Sequence, residues 1–256
     1  MAKELNKTTS ICGYDADNIM VRGKNLVTEL MGKVSFPEMI LLQMLGKAPT
    51  AAQVEILNAV MVTIMEHGLV PSAIAARLTI YGAPESYQGA IAAGLLGVGD
   101  RFAGTASACA KMLEPLVAVP EAEREAACRA ALREMKATKQ PVPGFGHPIH
   151  RDGDPRYARL MEITRNAGTS GAYLKTLELL ESCIEAEIGR PLVTNISAAI
   201  GAALGEAGLP AKAMRGIVLT ARCAGLAGHL LEESERPIGE AMWNGVEGAI
   251  SYDPKG

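Results

Sequence analysis

Apolar residues recur at three- and four-residue spacing along most of the chain, the period of helices with one buried face. In "GAYLKTLELLESCIEAEIG" this places Leu174, Leu177, Leu180, Ile184 and Ile188 in one stripe with acids opposite. "SFPEMILLQMLGKAPT" predicts a short helix, with Ser35 as N-cap, Pro37 in the first turn, and Gly46 and Pro49 ending it. A second helix is predicted over about 50–66, with Gly68 as its stop. Two more follow at 71–81 and 86–97, separated by "GAPES". Residues 104–117 are apolar with a charged edge, and 121–138 are helical but strongly charged, which suits an exposed helix. "DPRYARLMEITRNAG" restarts helix, and two apolar helices are predicted at about 195–207 and 211–233. "AAIGAALGEAGLP" reads as a buried helix. Alternating strand patterns are absent; "RPLVTNIS" extends briefly, and one strand makes no sheet. The predicted fold class is all-α.

Composition narrows this further. A chain of 256 residues fits one large domain, or a large one with a small appendage. Hydrophobic residues make up 48% and aromatics only 4%, so Ala, Leu, Ile, Val and Met fill the core and helix axes approach closely. The formal net charge of −3 argues against general affinity for nucleic acid, which needs a basic excess, while leaving room for a local basic pocket. Cys12, Cys109, Cys128, Cys183 and Cys223 are scattered, with no Cys-x-x-Cys pair, as in a reduced cytoplasmic protein. "MAKELNKTTS" lacks the apolar core of a signal peptide, and no apolar run approaches the roughly 20 residues of a membrane span. The histidines are far apart and form no metal-ligand spacing, so no metal site is expected.

One segment breaks the helical pattern. "PVPGFGHPIHRDGDPR", Pro141 to Arg156, is rich in glycine, proline and basic residues. Asp154 can cap a helix whose first position is Pro155. Arg156 then lies in the first turn, opposing the positive end of the helix dipole. That placement suits an anion held by the free N–H groups and the guanidinium. It equally suits a surface arginine reaching back to a carboxylate. The glycines of "PGFGHP" let a ligand lie against the backbone while the prolines hold the loop still. His147 on this loop can hydrogen-bond one end of a substrate whose carboxylate Arg156 holds. The alternative is an ordinary Gly/Pro turn with exposed histidines, and His150 is assigned to that rim.

"GFGHPIHRDGDPR" resembles the Gly-x-Gly-His…Asp-Pro-Arg signature of the citrate synthase superfamily. "MEHGLVPSAIAARL" is similar to the segment carrying the family's first active-site histidine, here His67. "GLLGVGDRFAGTASACAKML" resembles the Gly-Asp-Arg-Phe segment of the citryl-CoA lyase branch, including the lyase module of ATP-citrate lyase. "ARCAGLAGHLLEESERP" resembles the late helix with Arg222 and the Glu-Arg-Pro that carries Arg236. "SFPEMILLQMLGKAPT" matches the family's early helix. Phe102 stands where citrate synthases carry a histidine, which points to the lyase branch, and the short length agrees with a stand-alone lyase. Two positions depart from the pattern: Ser197 in "TNISAAIGAAL" stands where the family has its catalytic aspartate, and Pro148 where the lyases have an arginine.

The resemblance implies a citrate synthase-like helical fold, with 1–140 and 205–256 as a large domain and 141–204 as a small one. It implies cleavage of citryl-CoA or a related 3-hydroxy-carboxyacyl-CoA into acetyl-CoA and a 2-oxo acid such as oxaloacetate. Coenzyme A enters as a substrate thioester, with no permanently bound cofactor. His67, His147 and Ser197 fall at catalytic positions, and Arg156, Arg222 and Arg236 bind carboxylates, Arg236 from a neighbouring subunit of a homodimer or larger oligomer. Pro143, Gly144, Phe145, Gly146 and Arg151 follow as the CoA strip, with Asp100, Arg101, Phe102 and Asn195 as further candidates. His67 beside Gly68 also suits a plain helix C-terminus. An unassisted serine is a poor acid or base, so proton transfer needs a water on Ser197 and Asn195, another acid such as Asp100, or a different substrate. Competing readings are a non-catalytic CoA- or carboxylate-binding homologue and a condensing enzyme.

Overall fold

In a computed structural model of the chain, residues 7–146 and 154–254 are described. Eleven α-helices carry these residues: α1 Phe36–Leu45, α2 Ala51–Ile64, α3 Pro71–Gly82, α4 Tyr87–Leu96, α5 Thr105–Val117, α6 Glu121–Ala137, α7 Pro155–Asn166, α8 Ala172–Ile188, α9 Ile196–Glu206, α10 Ala211–Glu235 and α11 Gly239–Ala249. The helix starts follow their caps. Ser35 and Glu38 form a capping box on α1, and Thr50 and Gln53 form one on α2, each satisfying donors that the first turn leaves free. Gly46 closes α1 in the left-handed conformation.

The centre is α9. Every residue from Ala198 to Gly205 is buried, so this helix has no solvent face, as a helix apolar all round must. It packs on α2, α5, α7 and α8. A Cβ on Gly201 would lie 2.9 Å from the Ala106 carbonyl oxygen of α5, so the two axes approach only because the residue is glycine. Leu41, Ile56, Leu57, Leu113, Leu177, Leu180, Leu204 and Met214 fill the space around it. A second, smaller cluster of Ala73, Ala76, Ala90, Leu226 and Leu230 joins α3, α4 and α10.

Two elements differ from the sequence-based expectation. Residues 12–25 form a three-stranded antiparallel sheet, β1 Cys12–Tyr14, β2 Ile19–Val21 and β3 Lys24–Asn25, in the order β1-β2-β3. Its first turn is tied by the Asp15 carboxylate, which accepts the N–H groups of Asp17 and Asn18. The strands are too short to show alternation, and only Val21 is buried. The other is α11, whose run of small residues hid its period. The fold remains helical, with this sheet as an appendage. No helix among the described residues is long and apolar enough to cross a membrane.

Candidate active site

The strip Pro143–Gly146 lies beside the start of α9. Gly146 N–H donates to the Val193 carbonyl at 2.7 Å, Asn195 N–H donates to the Gly144 carbonyl at 2.9 Å, and Phe145 and Thr194 form an isolated antiparallel bridge. The brief extended segment of "RPLVTNIS" therefore pairs with the glycine strip. Gly144 has φ +85°, and a Cβ there would sit 2.7 Å from that of Ala198, so both conformation and space require glycine. Asn195 caps α9 by accepting the Ser197 N–H at 2.9 Å, and its Nδ2 donates to the Gly146 carbonyl at 2.9 Å. One side chain thus fixes the helix start to the strip.

Two cavities meet at this junction. The larger, of about 680 Å³, is walled by Pro143, Gly144, Phe145 and Gly146 on one side and by Lys111, Lys212 and Arg215 on the other. The smaller, of about 340 Å³, is lined by Glu66, His67, Arg101, Arg156, Ser197 and Arg222. Thr105, Gly146 and Asn195 line both. A long ligand with a phosphate-bearing end and a carboxylate-bearing end matches this charge distribution.

Arg156 reaches back to a carboxylate, and it also lines the smaller cavity. Its Nε and Nη2 donate to the Asp154 carboxylate at 3.0 and 2.8 Å, and the Arg156 N–H is capped by the same carboxylate. Burial pushes the Asp154 carboxyl up, but the Arg156 guanidinium and the Arg156 and Ile196 N–H groups outweigh this and hold it below its ordinary value. A buried carboxylate thus fixes the guanidinium at the cavity wall.

Arg222, on α10, is half-buried; burial lowers its pKa, and the negative charge of Glu66 acts the other way. His67 follows α2, is exposed, and faces the smaller cavity. Glu66 Oε1 accepts three donors: the N–H groups of His67 at 2.7 Å and Gly68 at 2.8 Å, and His229 Nε2 at 3.0 Å. Behind it, His229 Nδ1 accepts from Arg77 Nε at 3.0 Å. An arginine N–H can only donate, so Nδ1 carries no proton and Nε2–H points at Glu66. Arg77 is 1% exposed and also binds Glu233, at 2.6 Å, and Glu232.

Arg101 lines the smaller cavity from the π-helical turn Asp100–Gly104. Asp100 does not join it: this carboxylate faces the larger cavity and pairs with Arg215 at 2.6 Å, leaving it in a poor place to replace the missing aspartate. Arg236 is also apart, in a separate hollow with Met65, Glu66, Gly228 and His229. Arg156 and Arg222 share a cavity; Arg236 of the same chain does not reach it. Phe102 lies in the same π-helical turn, and its side chain, like His147, His150 and Arg151, is outside the described residues. Cys109 is no nucleophile, since burial pushes its thiol up to about 12. Sequence reasoning missed Lys111, Lys212, Arg215 and Glu66. The spacings Ser107–Lys111 and Lys212–Arg215 each put two residues on one helix face, but only the glycine strip shows which face is the wall.

The model of the citrate synthase C-terminal domain matches residues 35–240. The chain belongs to the citrate synthase family. It is 31% identical to citryl-CoA lyase from Hydrogenobacter thermophilus, covering 88% of this chain and 86% of that one, with a TM-score of 0.80. ATP citrate lyase from Methanothrix soehngenii, solved with citrate and coenzyme A, superposes at a TM-score of 0.74 with 22% identity, over 92% of this chain and 40% of that one, a likeness of fold. Citrate synthase 2 from Bacillus subtilis is 26% identical over 191 residues, which are 73% of this chain and 49% of that protein. The 2-methylcitrate synthase of Shewanella oneidensis is 26% identical over 193 residues, 73% and 49% of the two chains. The chain thus spans about half the length of the curated relatives it matches.

Proposed function

We propose that this family member is a carbon–carbon lyase that cleaves citryl-CoA, or a related 3-hydroxy-carboxyacyl-CoA, to acetyl-CoA and a 2-oxo acid such as oxaloacetate. The observation that carries the reading is the meeting of two cationic cavities at Gly146 and Asn195. The larger suits CoA: the glycine strip gives a flat bed, and Lys111, Lys212 and Arg215 meet phosphate charge. The smaller suits the acyl part: Arg101, Arg156 and Arg222 meet its carboxylates, and His67 orients it. The 31% identity to a citryl-CoA lyase over most of both chains supports the lyase direction.

In this reading the hydroxyl proton leaves as the C–C bond breaks, its oxygen becomes the ketone of the 2-oxo acid, and the electron pair passes to the thioester enolate. That enolate then takes a proton on carbon. His147 holds the hydroxyl oxygen, and the cationic wall stabilises the charge that develops. A homodimer, in which Arg236 of the partner completes the carboxylate set, accounts for an arginine that faces outward in its own chain. A condensing enzyme is the second reading, favoured by the synthases among the relatives.

The test is turnover of citryl-CoA by the purified chain, with oxaloacetate read through malate dehydrogenase. Activity that falls on the order of 10²-fold or more in His67→Ala or Arg222→Met is the expected outcome. Thiol release from acetyl-CoA and oxaloacetate, with no cleavage of citryl-CoA, would overturn it in favour of the synthase.

A further inference from the structure

The departure at Ser197 leaves the reaction without its usual carboxylate. Ser197 sits in the first turn of α9, lines the smaller cavity with its N–H tied to Asn195, and carries a hydroxyl without the acidity to move a proton at neutral pH. Asp100 is turned to the other cavity and paired with Arg215. Asp154 is buried and held bidentately by Arg156. That leaves one carboxylate lining the smaller cavity among the described residues, Glu66.

Its two oxygens are in different situations. Oε1 is saturated by the His67 and Gly68 N–H groups and by His229. Oε2 accepts no hydrogen bond from the described residues and lies 3.0 Å from where a Cβ on Gly225 of α10 would be; Gly225 lines the neighbouring hollow of Arg236, and Glu66 lines both that hollow and the smaller cavity. Gly225 is one turn from Arg222 on the same helix, and Arg222 lines the smaller cavity together with Glu66. The chain therefore anchors one oxygen of the carboxylate with a network running back to buried Arg77, and leaves the other open.

We propose that Glu66 is the acid–base group of this active site, standing in for the absent aspartate: its Oε2 takes the substrate hydroxyl proton and returns it to the enolate carbon. The inference rests on the lyase reading above for its substrate. The step balances without any co-reactant. The O–H bond breaks and Oε2–H forms as the C–C bond cleaves and C=O forms; the released electron pair rests in the thioester enolate. Oε2–H then breaks as the new C–H bond forms, giving acetyl-CoA and regenerating the carboxylate. In reverse, the same ionised oxygen removes a proton from the methyl group of acetyl-CoA. His229 and Arg77 are positioning residues: they hold Oε1 so that Oε2 keeps its aim.

The decisive variant is Glu66→Gln. Its amide oxygen can still accept the three donors at Oε1 and its NH₂ takes the place of Oε2, so the scaffold is kept and only the proton-carrying function is removed. Two readouts are taken in wild type and variant: cleavage of citryl-CoA, and wash-in of deuterium from D₂O into the methyl group of acetyl-CoA, with acetyl-CoA affinity measured by calorimetry. The expected result is loss of both activities by on the order of 10²–10⁴-fold at unchanged affinity. If the wild type cleaves citryl-CoA and Glu66→Gln does so at the same rate, the inference is overturned while the lyase reading stands. If the wild type exchanges deuterium but does not cleave citryl-CoA, the substrate reading fails and exchange in the variant decides the role of Glu66. A wild type that does neither overturns both. Should Glu66→Gln not fold, Glu66→Asp keeps the charge and withdraws the oxygen by one methylene. Lowered exchange at wild-type affinity then supports the role, and undiminished exchange sinks it.

Discussion

At the scale of single residues, the site is made by pairs in which one member is structural and the other is presented. Asp154 presents Arg156, Asn195 presents Gly146, and His229 presents Glu66. The first of these was half legible: Asp154 and Pro155 announce a helix start, but whether Arg156 points at a ligand or at a carboxylate depends on a fold the sequence does not display. The pairing of Glu66 with His229 was illegible: both lie in segments that resemble the family, but the contact joins residues 163 apart and neither segment shows the other as its neighbour. Gly144 offers the sharpest prediction here. Gly144→Ala combines a left-handed backbone with a clash against Ala198, and is expected to cost about 2–4 kcal/mol of stability. The measurement is the urea midpoint, together with weakened acetyl-CoA binding as the strip lifts from α9.

At the scale of elements, the helix boundaries were the most legible part of the chain. Ser35 and Asp154 cap where their side chains predict, and Thr50 caps a helix expected to begin at about that residue, because an N-cap is a local transaction between one side chain and the N–H groups of the next turn. The three-stranded sheet over 12–25 and α11 were not, since the strands are too short to alternate and the small residues of α11 hide its period. Helices α3, α10 and the start of α11 are joined by a buried ion pair. Glu233 accepts from Arg77 at 2.6 Å and from the N–H groups of Ile238 and Gly239 at 2.9 and 2.7 Å. Burial pushes this carboxyl up, but the guanidinium and the two N–H groups prevail and hold it below its ordinary value. A depressed carboxylate stabilises the fold fully above the ordinary carboxylate range, and that contribution is lost as pH falls through the folded-state value. The denaturation midpoint is therefore expected to drop in acid, and Glu233→Gln, which breaks one side of a buried pair, to cost about 3 kcal/mol at neutral pH and to flatten the acid limb. Urea titrations over a pH series check both.

At the scale of the whole molecule, the family was legible from scattered motifs, of which the fold brings His67, Gly146, Arg156, Ser197 and Arg222 to one cavity and leaves Arg236 in another. Trp243, Val246 and Ile250 are exposed at helical spacing on and just beyond α11. The chain has a single tryptophan, so its fluorescence reports on that face alone. If the homodimer proposed above uses this surface, the emission maximum shifts to the blue as protein concentration rises through the dissociation range; invariance on dilution, with a dimer in sedimentation, would place the interface elsewhere. The network behind Glu66 also governs chemical reactivity. An imidazole with both nitrogens engaged has no lone pair free to attack an electrophile. His229 meets that condition, with Arg77 on one nitrogen and Glu66 on the other, whereas His67 is exposed. Carbethoxylation followed by peptide mass mapping should modify His67 early and His229 only as the protein unfolds, so that one reagent marks the open mouth of the site and the clasp behind it on separate clocks.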